Sequence, residues 1–485
     1  MQRLGLALIL ASTTLCAQGD QLPVVAPVLG TAPLYNYEDA PTTPDADDPV
    51  IWVSRDHARN ALVIGTAKDA GLVVYDLAGQ LVQAIRPPNA PQVLPEDPPS
   101  PAGVNPALDN PCVESEEGDT FGRFNNVDVA YGVRLGVGRA DVAIVSDRGC
   151  DRVRFYKIDP SDPEGPLVDI TAPDVPRVFP TRYDQPSLIQ PSGASEGWTD
   201  NPLDDQNTVY GLTVAPGRSD QLFVTERERG LARQLTIVPT ADGKLSYSVK
   251  RTFLFDTSFA LNDKLGNEYA WTPCREAPEE EPQSEGLVFD RVNETLYVAF
   301  ETVGLYKVPL DSPTDFVRLG VDKLIEPVKS FGRAYRATPN DDEFECEYDP
   351  AGDPAPADIV ASGSAKNAGR FLEADLEGLS IITSVPGQTL LLASSQGDSS
   401  FHFYQISAKK TWHLGALTID GVGESDGVHY APDRIDRQYP FGLLVVQNGE
   451  APEPPNTDPI NGFPFDGATQ FIYVNFLDVL KTLPR

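Results

Sequence analysis

The chain has 485 residues, and 71 acidic against 38 basic side chains leave a formal charge of −33. That balance excludes a nucleic-acid partner and an anionic membrane surface, because both call for clustered Lys and Arg to neutralise phosphate. The chain is 41% hydrophobic and 22% charged, enough apolar surface to fold, while 45 Pro and 39 Gly punctuate it too densely for a helical bundle.

Residues 1–17 read as a signal peptide: Arg3, the apolar run 4–11, then small residues up to Ala17, where cleavage is expected. The run is too short to span a bilayer. Lipidation of Cys16 is the disfavoured alternative, because Leu15 is too large for the small-residue box that precedes a lipidated cysteine. The mature chain is therefore expected to be exported, periplasmic or extracellular, with no membrane partner. Export leaves Cys112, Cys150, Cys274 and Cys346. In an oxidising compartment these form up to two disulfides, with three pairings open, and no CxxC spacing points to thiolate zinc.

From residue 47 the sequence repeats one three-part unit. The first copy opens at Asp47-Asp48 with strand 49–52, continues through 62–67 to Lys68, and ends in the alternating run 72–77. The second opens at Asn126 and Asp128, runs through 142–147 to Arg148, and ends in 153–158. The third has Tyr210 before 211–214, then 222–226 ending at Arg227, then 234–238. The fourth has Glu285 before 286–289, then 296–300 ending at Glu301, then 305–310. The fifth has Asp375 and Glu377 before 378–381, then 390–395 ending at Gln396, then 401–406. The sixth has Asp426 before 427–430, then 443–446 ending at Gln447-Asn448 with Glu450 beyond, then 471–476.

Six copies of a strand-rich unit predict an all-β, six-bladed β-propeller, one domain over residues 18–485. A TIM barrel would need helical stretches that are missing between these strands. The period of 70–96 residues exceeds a bare blade, so loops are expected at 88–122, 159–205, 255–283 and 325–370, all rich in Pro, Asp, Glu and Ser. The last strand, 471–476, is expected to pair with residues 33–38 and close the ring.

Innermost blade strands line the axial channel, so the repeat sets its polar residues around one rim. Lys68, Arg148, Tyr210 and Arg227 form a cationic arc; Glu285, Glu301, Asp375, Glu377 and Gln396 form an anionic one. Gathered carboxylates repel unless a cation binds, and calcium takes about six to eight oxygen ligands. His402, His413 and His429 do not cluster in sequence, which disfavours zinc. A hard cation opposite an Arg/Lys grip is what phosphoryl transfer needs. There is no Walker A.

At these residues the chain resembles the β-propeller phytases, calcium-dependent alkaline phytases of bacteria. The shared segments are Asp45-Ala-Asp-Asp-Pro-Val-Ile-Trp52, Ala70-Gly-Leu-Val-Val-Tyr-Asp-Leu77, Phe124-Asn-Asn-Val-Asp128, Val209-Tyr-Gly-Leu212, Ser284-Glu-Gly-Leu287, Asp375-Leu-Glu-Gly-Leu379, Ala393-Ser-Ser-Gln-Gly397, Ser425-Asp-Gly427 and Tyr439-Pro-Phe-Gly442. The resemblance implies stepwise hydrolysis of myo-inositol hexakisphosphate, a small polyanionic substrate, by a calcium-loaded monomer. By the same resemblance Asp47, Glu285, Glu301, Asp375, Glu377 and Gln396 are expected to ligate catalytic calcium. Asp48, Asp426 and Glu450 are expected to ligate a structural one, and Lys68, Arg148, Tyr210 and Arg227 to bind phosphate. Catalysis is assigned to these four and to Glu285 and Glu377. Arg227 stands where a Lys is expected, Phe300 and Asn448 where acids are expected. The alternatives are a lactonase-type calcium propeller, which would not need the cationic arc, and a non-catalytic binding propeller, which would not need the Glu285/Glu301/Asp375/Glu377 set.

Overall fold

A computed structural model describes residues 22–88, 122–179, 207–275, 281–348 and 359–483, apart from 39, 41, 56–59, 219, 312–313, 341–342, 386, 433–434 and 436. The signal-peptide and Cys16 readings, Cys112 and most of loop 88–122 lie outside the described residues, as do 180–205 of the expected loop 159–205, 276–280 of 255–283 and 349–358 of 325–370.

Six sheets of four or five strands succeed one another along the chain, one per repeat, as a β-propeller. Blade 1 is Pro49–Val53, Ala61–Thr66, Leu72–Tyr75 and Leu81–Ile85, every strand antiparallel to its neighbour. Blade 2 is Phe124–Arg134, Arg139–Asp147, Arg152–Ile158 and Leu167–Asp169. Blade 3 is Val209–Val214, Gln221–Glu226, Leu231–Pro239 and Leu245–Phe255, with Phe316–Leu319 added in parallel. Blade 4 is Ser284–Asp290, Thr295–Phe300, Gly304–Pro309 and Leu324–Pro327. Blade 5 is Leu376–Ile382, Thr389–Ser395, Ser400–Ile406 and Thr411–Ile419. Blade 6 is Val428–Ala431, Leu443–Asn448 and Phe465–Asn475.

The inner strands are β-branched and apolar because both faces are covered: one blade's sheet packs on the next, and the core is a series of inter-blade layers. Phe223 of blade 3 stacks on Phe289 of blade 4 at 6.0 Å, for example. The N-terminal segment closes the ring. Leu34–Tyr37 pair with 465–469, and Leu29 and Gly30 pair with Tyr473 and Ile472. The expected partner of 33–38 thus lies a few residues earlier in the last strand. Val24–Val25 goes further and adds in parallel to the outer edge of blade 5. Those two edge pairings tie the chain's start to blades 5 and 6 at once.

Two of the expected loops hold structure of their own. Residues 256–275 form the hairpin Phe259–Asn262 with Glu268–Trp271, and residues 328–375 contain the sheet Glu343–Tyr348, Tyr335–Asn340, Ile359–Ala361. Trp271 sits 4.9 Å from Phe331 and 6.1 Å from Phe259, and its indole N–H donates to Arg333 O at 2.8 Å. A Cys274–Cys346 disulfide joins the two inserts, and Cys150 is also disulfide-bonded. In a four-stranded antiparallel blade the link from the outer strand to the next inner strand emerges where inner strands begin. This lobe therefore stands on the face carrying the site. The opposite end of the axial channel holds a cavity of about 1130 Å³, lined by Arg55, Tyr131, Arg291 and His429 among others.

Candidate metal and phosphate site

Site residues of blades 2 to 5 are placed by one recurring device. In blades 2 to 5 the pairing of first and second strands slips just after it starts, between Phe124 and Val127, Val209 and Leu212, Ser284 and Leu287, and Leu376 and Leu379. Such a bulge re-aims a side chain and ends regular pairing. The residues inside the bulges are Asn125-Asn126, Tyr210-Gly211, Glu285-Gly286 and Glu377-Gly378. The glycines are required by close approach. A Cβ on Gly211 would lie 1.9 Å from Glu285 O, and one on Gly286 would lie 2.0 Å from Glu377 O. Each bulge rests on the next blade's bulge, so Tyr210, Glu285 and Glu377 are set in one arc. The second strand ends beside the bulge, at Glu226, Phe300 and Ser395, and delivers Arg227, Glu301 and Gln396.

The arc brings Glu285, Glu301 and Glu377 together: one carboxylate oxygen of each lies within 4.8 Å of the others, and all three side chains are buried. Among the described residues this is the one group of His, Cys, Asp or Glu so gathered. Burial, then Asp426, pushes Glu285 up to about 7. Burial with Asp375 and Glu285 raises Glu301, and burial with Glu301 and Glu285 raises Glu377. Asp47 is raised by burial and by the Glu285 carboxylate it touches. Asp426 is raised by burial and Asp47 against the pull of Lys68, and accepts a hydrogen bond from Gln396 Nε2. Asp375 bears electrostatically on Glu301, Glu377 and Asp426.

The cations face this arc. Lys68 Nζ pairs with Asp45 at 2.7 Å; burial works against its charge, but Asp45, Asp47 and Asp426 hold it above its ordinary range. Arg148 Nη1 donates to Asn125 Oδ1 at 3.1 Å, and its guanidinium lies 5.7 Å from the Tyr210 ring centroid. Burial, then the charges of Arg123 and Arg227, lower Arg148 to about 9. Tyr210 is raised by burial and by Glu285, Glu301 and Glu377. Arg227 pairs with Glu228 and bears on Glu301.

Among the described residues, Asp48, Asp426 and Glu450 are not gathered to within 4.8 Å of one another as the three glutamates are. Asp48 lines the channel cavity, accepts from Val127 N at 3.1 Å and is raised by burial. Glu450 is exposed and its carboxylate lies over Gly423. Asn448 Oδ1 accepts from Gly423 N at 2.9 Å and Glu450 N at 3.2 Å, so this amide organises a turn. Asp128 braces blade 2 to blade 3 through Val214 N and Thr213 Oγ1. His402 and His413, on adjacent strands of blade 5, meet at 3.0 Å, and no third metal ligand among the described residues joins them.

Four partners of the site were not singled out from the sequence. Asn125 Nδ2 donates to Glu285 Oε1 at 2.8 Å, linking the anionic arc to Arg148. Gln283 Nε2 donates to Glu301 Oε2 at 2.9 Å. Asp45 and Arg123 meet their partners only through folding. Asn125 stands inside a repeat segment and could have been singled out; Gln283 sits one residue before one.

The donor set fits a hard cation. Asp47 Oδ2, Glu301 Oε1 and Glu377 Oε2 are buried without a hydrogen-bond partner, and the gathered ligand atoms are carboxylate oxygens. Buried carboxylates so placed need either protons or a cation.

The Phytase family model matches residues 13–87 and 325–463. A 3-phytase of Bacillus subtilis (strain 168) is 24% identical over 429 residues, 87% of this chain and 77% of that protein. Among solved structures, a periplasmic gluconolactonase of Pseudomonas aeruginosa is 13% identical with a TM-score of 0.36, covering 80% of this chain and 77% of that one. The calcium-binding protein regucalcin of Agrobacterium tumefaciens is 11% identical with a TM-score of 0.37, covering 94% and 97%. Both overlay too loosely to carry an argument about chemistry. No helix among the described residues is long and apolar enough to cross a membrane.

Proposed function

On the premise that this chain is related to the phytase family, we propose that it is a calcium-dependent phosphatase of myo-inositol hexakisphosphate. The observation that carries this reading is the gathering of Glu285, Glu301 and Glu377 opposite Lys68, Arg148 and Arg227. A lone acidic cluster would suit many cation-binding proteins. A lone cationic arc would suit many anion binders. Their opposition suits an enzyme that neutralises a phosphate from both sides.

Asp47, Glu285, Glu301, Asp375, Glu377 and Gln396 would hold the cations. Bound there, calcium neutralises phosphate charge and lowers the pKa of water near the phosphorus. The chain's own residues do the rest. Lys68, Arg148 and Arg227 grip the phosphate, Arg in bidentate fashion. Arg148 is crowded by Arg123 and Arg227, so an arriving anion relieves repulsion as well as forming hydrogen bonds. Tyr210, kept as a phenol by burial and its three glutamate neighbours, can donate a hydrogen bond to substrate oxygen. Asn125 fixes Glu285 and Arg148 relative to each other.

Export fits the disulfides at Cys150 and Cys274–Cys346, which belong to an oxidising compartment. The test is phosphate release from myo-inositol hexakisphosphate by purified protein, in EGTA and with calcium restored. Release that requires calcium is expected. No release in millimolar calcium would sink the proposal.

A further inference from the structure

We infer that Arg123 is a further substrate-binding residue, a cation that joins Lys68, Arg148 and Arg227 in holding phosphate and that Asp69 masks in the free protein. The inference rests on the functional reading above. Arg123 immediately precedes the bulged strand of blade 2, and its guanidinium Nη1 is paired with Asp69 in the turn that follows Lys68. The pair bridges blades 1 and 2 on the site face. Arg123 Nε has no hydrogen-bond partner, so the fork is only partly used, and 24% of the side chain is exposed.

Two further observations place this cation among the site residues. After burial, Arg123 is the largest influence on Arg148, and it is also felt at Lys68. Its backbone is also unusually well held. Arg123 N donates to Asp147 Oδ1 at 3.1 Å, and Arg148 N donates to Arg123 O at 2.7 Å. Asp147 is itself locked in a fully buried ion pair with Arg154. Such a pair is costly to bury and contributes little net stability. Here it fixes the backbone from which Arg123 projects, and through it that of Arg148.

A purely structural Arg123–Asp69 bridge and a masked substrate cation give opposite signatures. In a structural bridge, losing either partner costs stability and neither changes anion affinity. In a masked cation, losing Arg123 weakens anion binding and losing the Asp69 charge strengthens it. The experiment is calorimetric titration of inorganic phosphate into the calcium-loaded full chain, with wild type, Arg123→Ala, Arg123→Lys and Asp69→Asn. Loss of a charge-assisted contact predicts about a tenfold weaker Kd for Arg123→Ala. Asp69→Asn should bind about threefold tighter. Arg123→Lys should fall between wild type and Ala, keeping charge but not the fork. Shifts of the same sign for Arg123→Ala and Asp69→Asn, or no shift in either, would overturn the assignment. Phosphate release by the wild type is measured alongside. If it fails while the Kd pattern holds, the functional reading falls and the Arg123 site stands; the reverse result removes Arg123 alone.

Discussion

Glu285→Gln should stabilise the cation-free protein, and increasingly so as pH rises. Glu285 is buried, touched by Asp47 and accepts from Asn125 at 2.8 Å, an interaction a Gln carbonyl can keep. Its carboxyl is raised from 4.5 to about 7. A carboxyl that binds its proton more tightly folded than unfolded favours folding below the unfolded pKa. That advantage is lost as pH climbs through the folded value. The window here is therefore pH 4.5 to 7. Across it the wild type loses about 3 kcal/mol relative to the Gln variant, from 1.36 kcal/mol per pKa unit. For a ring of this size that is about 3 °C in Tm.

The assay is thermal unfolding of both proteins in EGTA from pH 4.5 to 8, read as the difference between them. The difference removes the buried histidines, which act the other way. His402, His413 and His429 are each lowered by burial to about 4, so they withdraw stability as pH falls below 6.5. With calcium restored the order should invert, because the wild type has the ligand that the variant lacks and gains by mass action. A wild-type minus variant difference that stays flat with pH in EGTA would refute the electrostatic reasoning. So would equal stabilisation of the two by calcium.

Glu377→Gln should abolish phosphate release while the far-ultraviolet circular dichroism stays unchanged, since Glu377 Oε2 has no hydrogen bond to lose; retained turnover would remove it from the site. Gly286→Ala puts a Cβ 2.0 Å from Glu377 O, so two ligand-bearing bulges must separate. A displacement of about 1 Å predicts roughly a hundredfold loss of activity, and a steady-state assay showing wild-type rates would mean the bulges are not coupled. Cys274→Ser with Cys346→Ser opens a cross-link between residues 72 apart in sequence. It should lower stability by about 4 kcal/mol, and unfolding by guanidinium checks it. Arg227→Ala should raise KM for myo-inositol hexakisphosphate, and an unchanged KM would leave Arg227 to its Glu228 partner.

What was legible in the sequence was whatever the blade repeats. Six polar residues before apolar strands, and six after them, were enough to name Glu285, Glu301, Glu377 and Arg148 without knowing where any of them stood. The physical reason is that a propeller turns sequence order into rotation about an axis, so residues at matching positions meet. What the repeat does not encode stayed hidden. Arg123 and Asp69 pair across two blades, and no local pattern announces a contact fixed by the packing of neighbouring sheets. The inserts at 256–275 and 328–375 looked like polar loops because neither buries a core alone; Trp271 and Phe331 do so only together. Asp48, Asp426 and Glu450 were grouped by resemblance, not by one blade position. Asp47 and Asp48 are consecutive residues just before the strand Pro49–Val53; Asp47 meets Glu285 in the carboxylate cluster and Asp48 lines the channel cavity. A −33 chain has acids to spare. Glu285 and Glu377 are set apart from the rest by the glycine that follows each, which lets the next blade's backbone close to within contact. That acid–glycine pair marks the bulge more sharply than the acid alone, whereas Glu301 is placed by the end of the second strand instead.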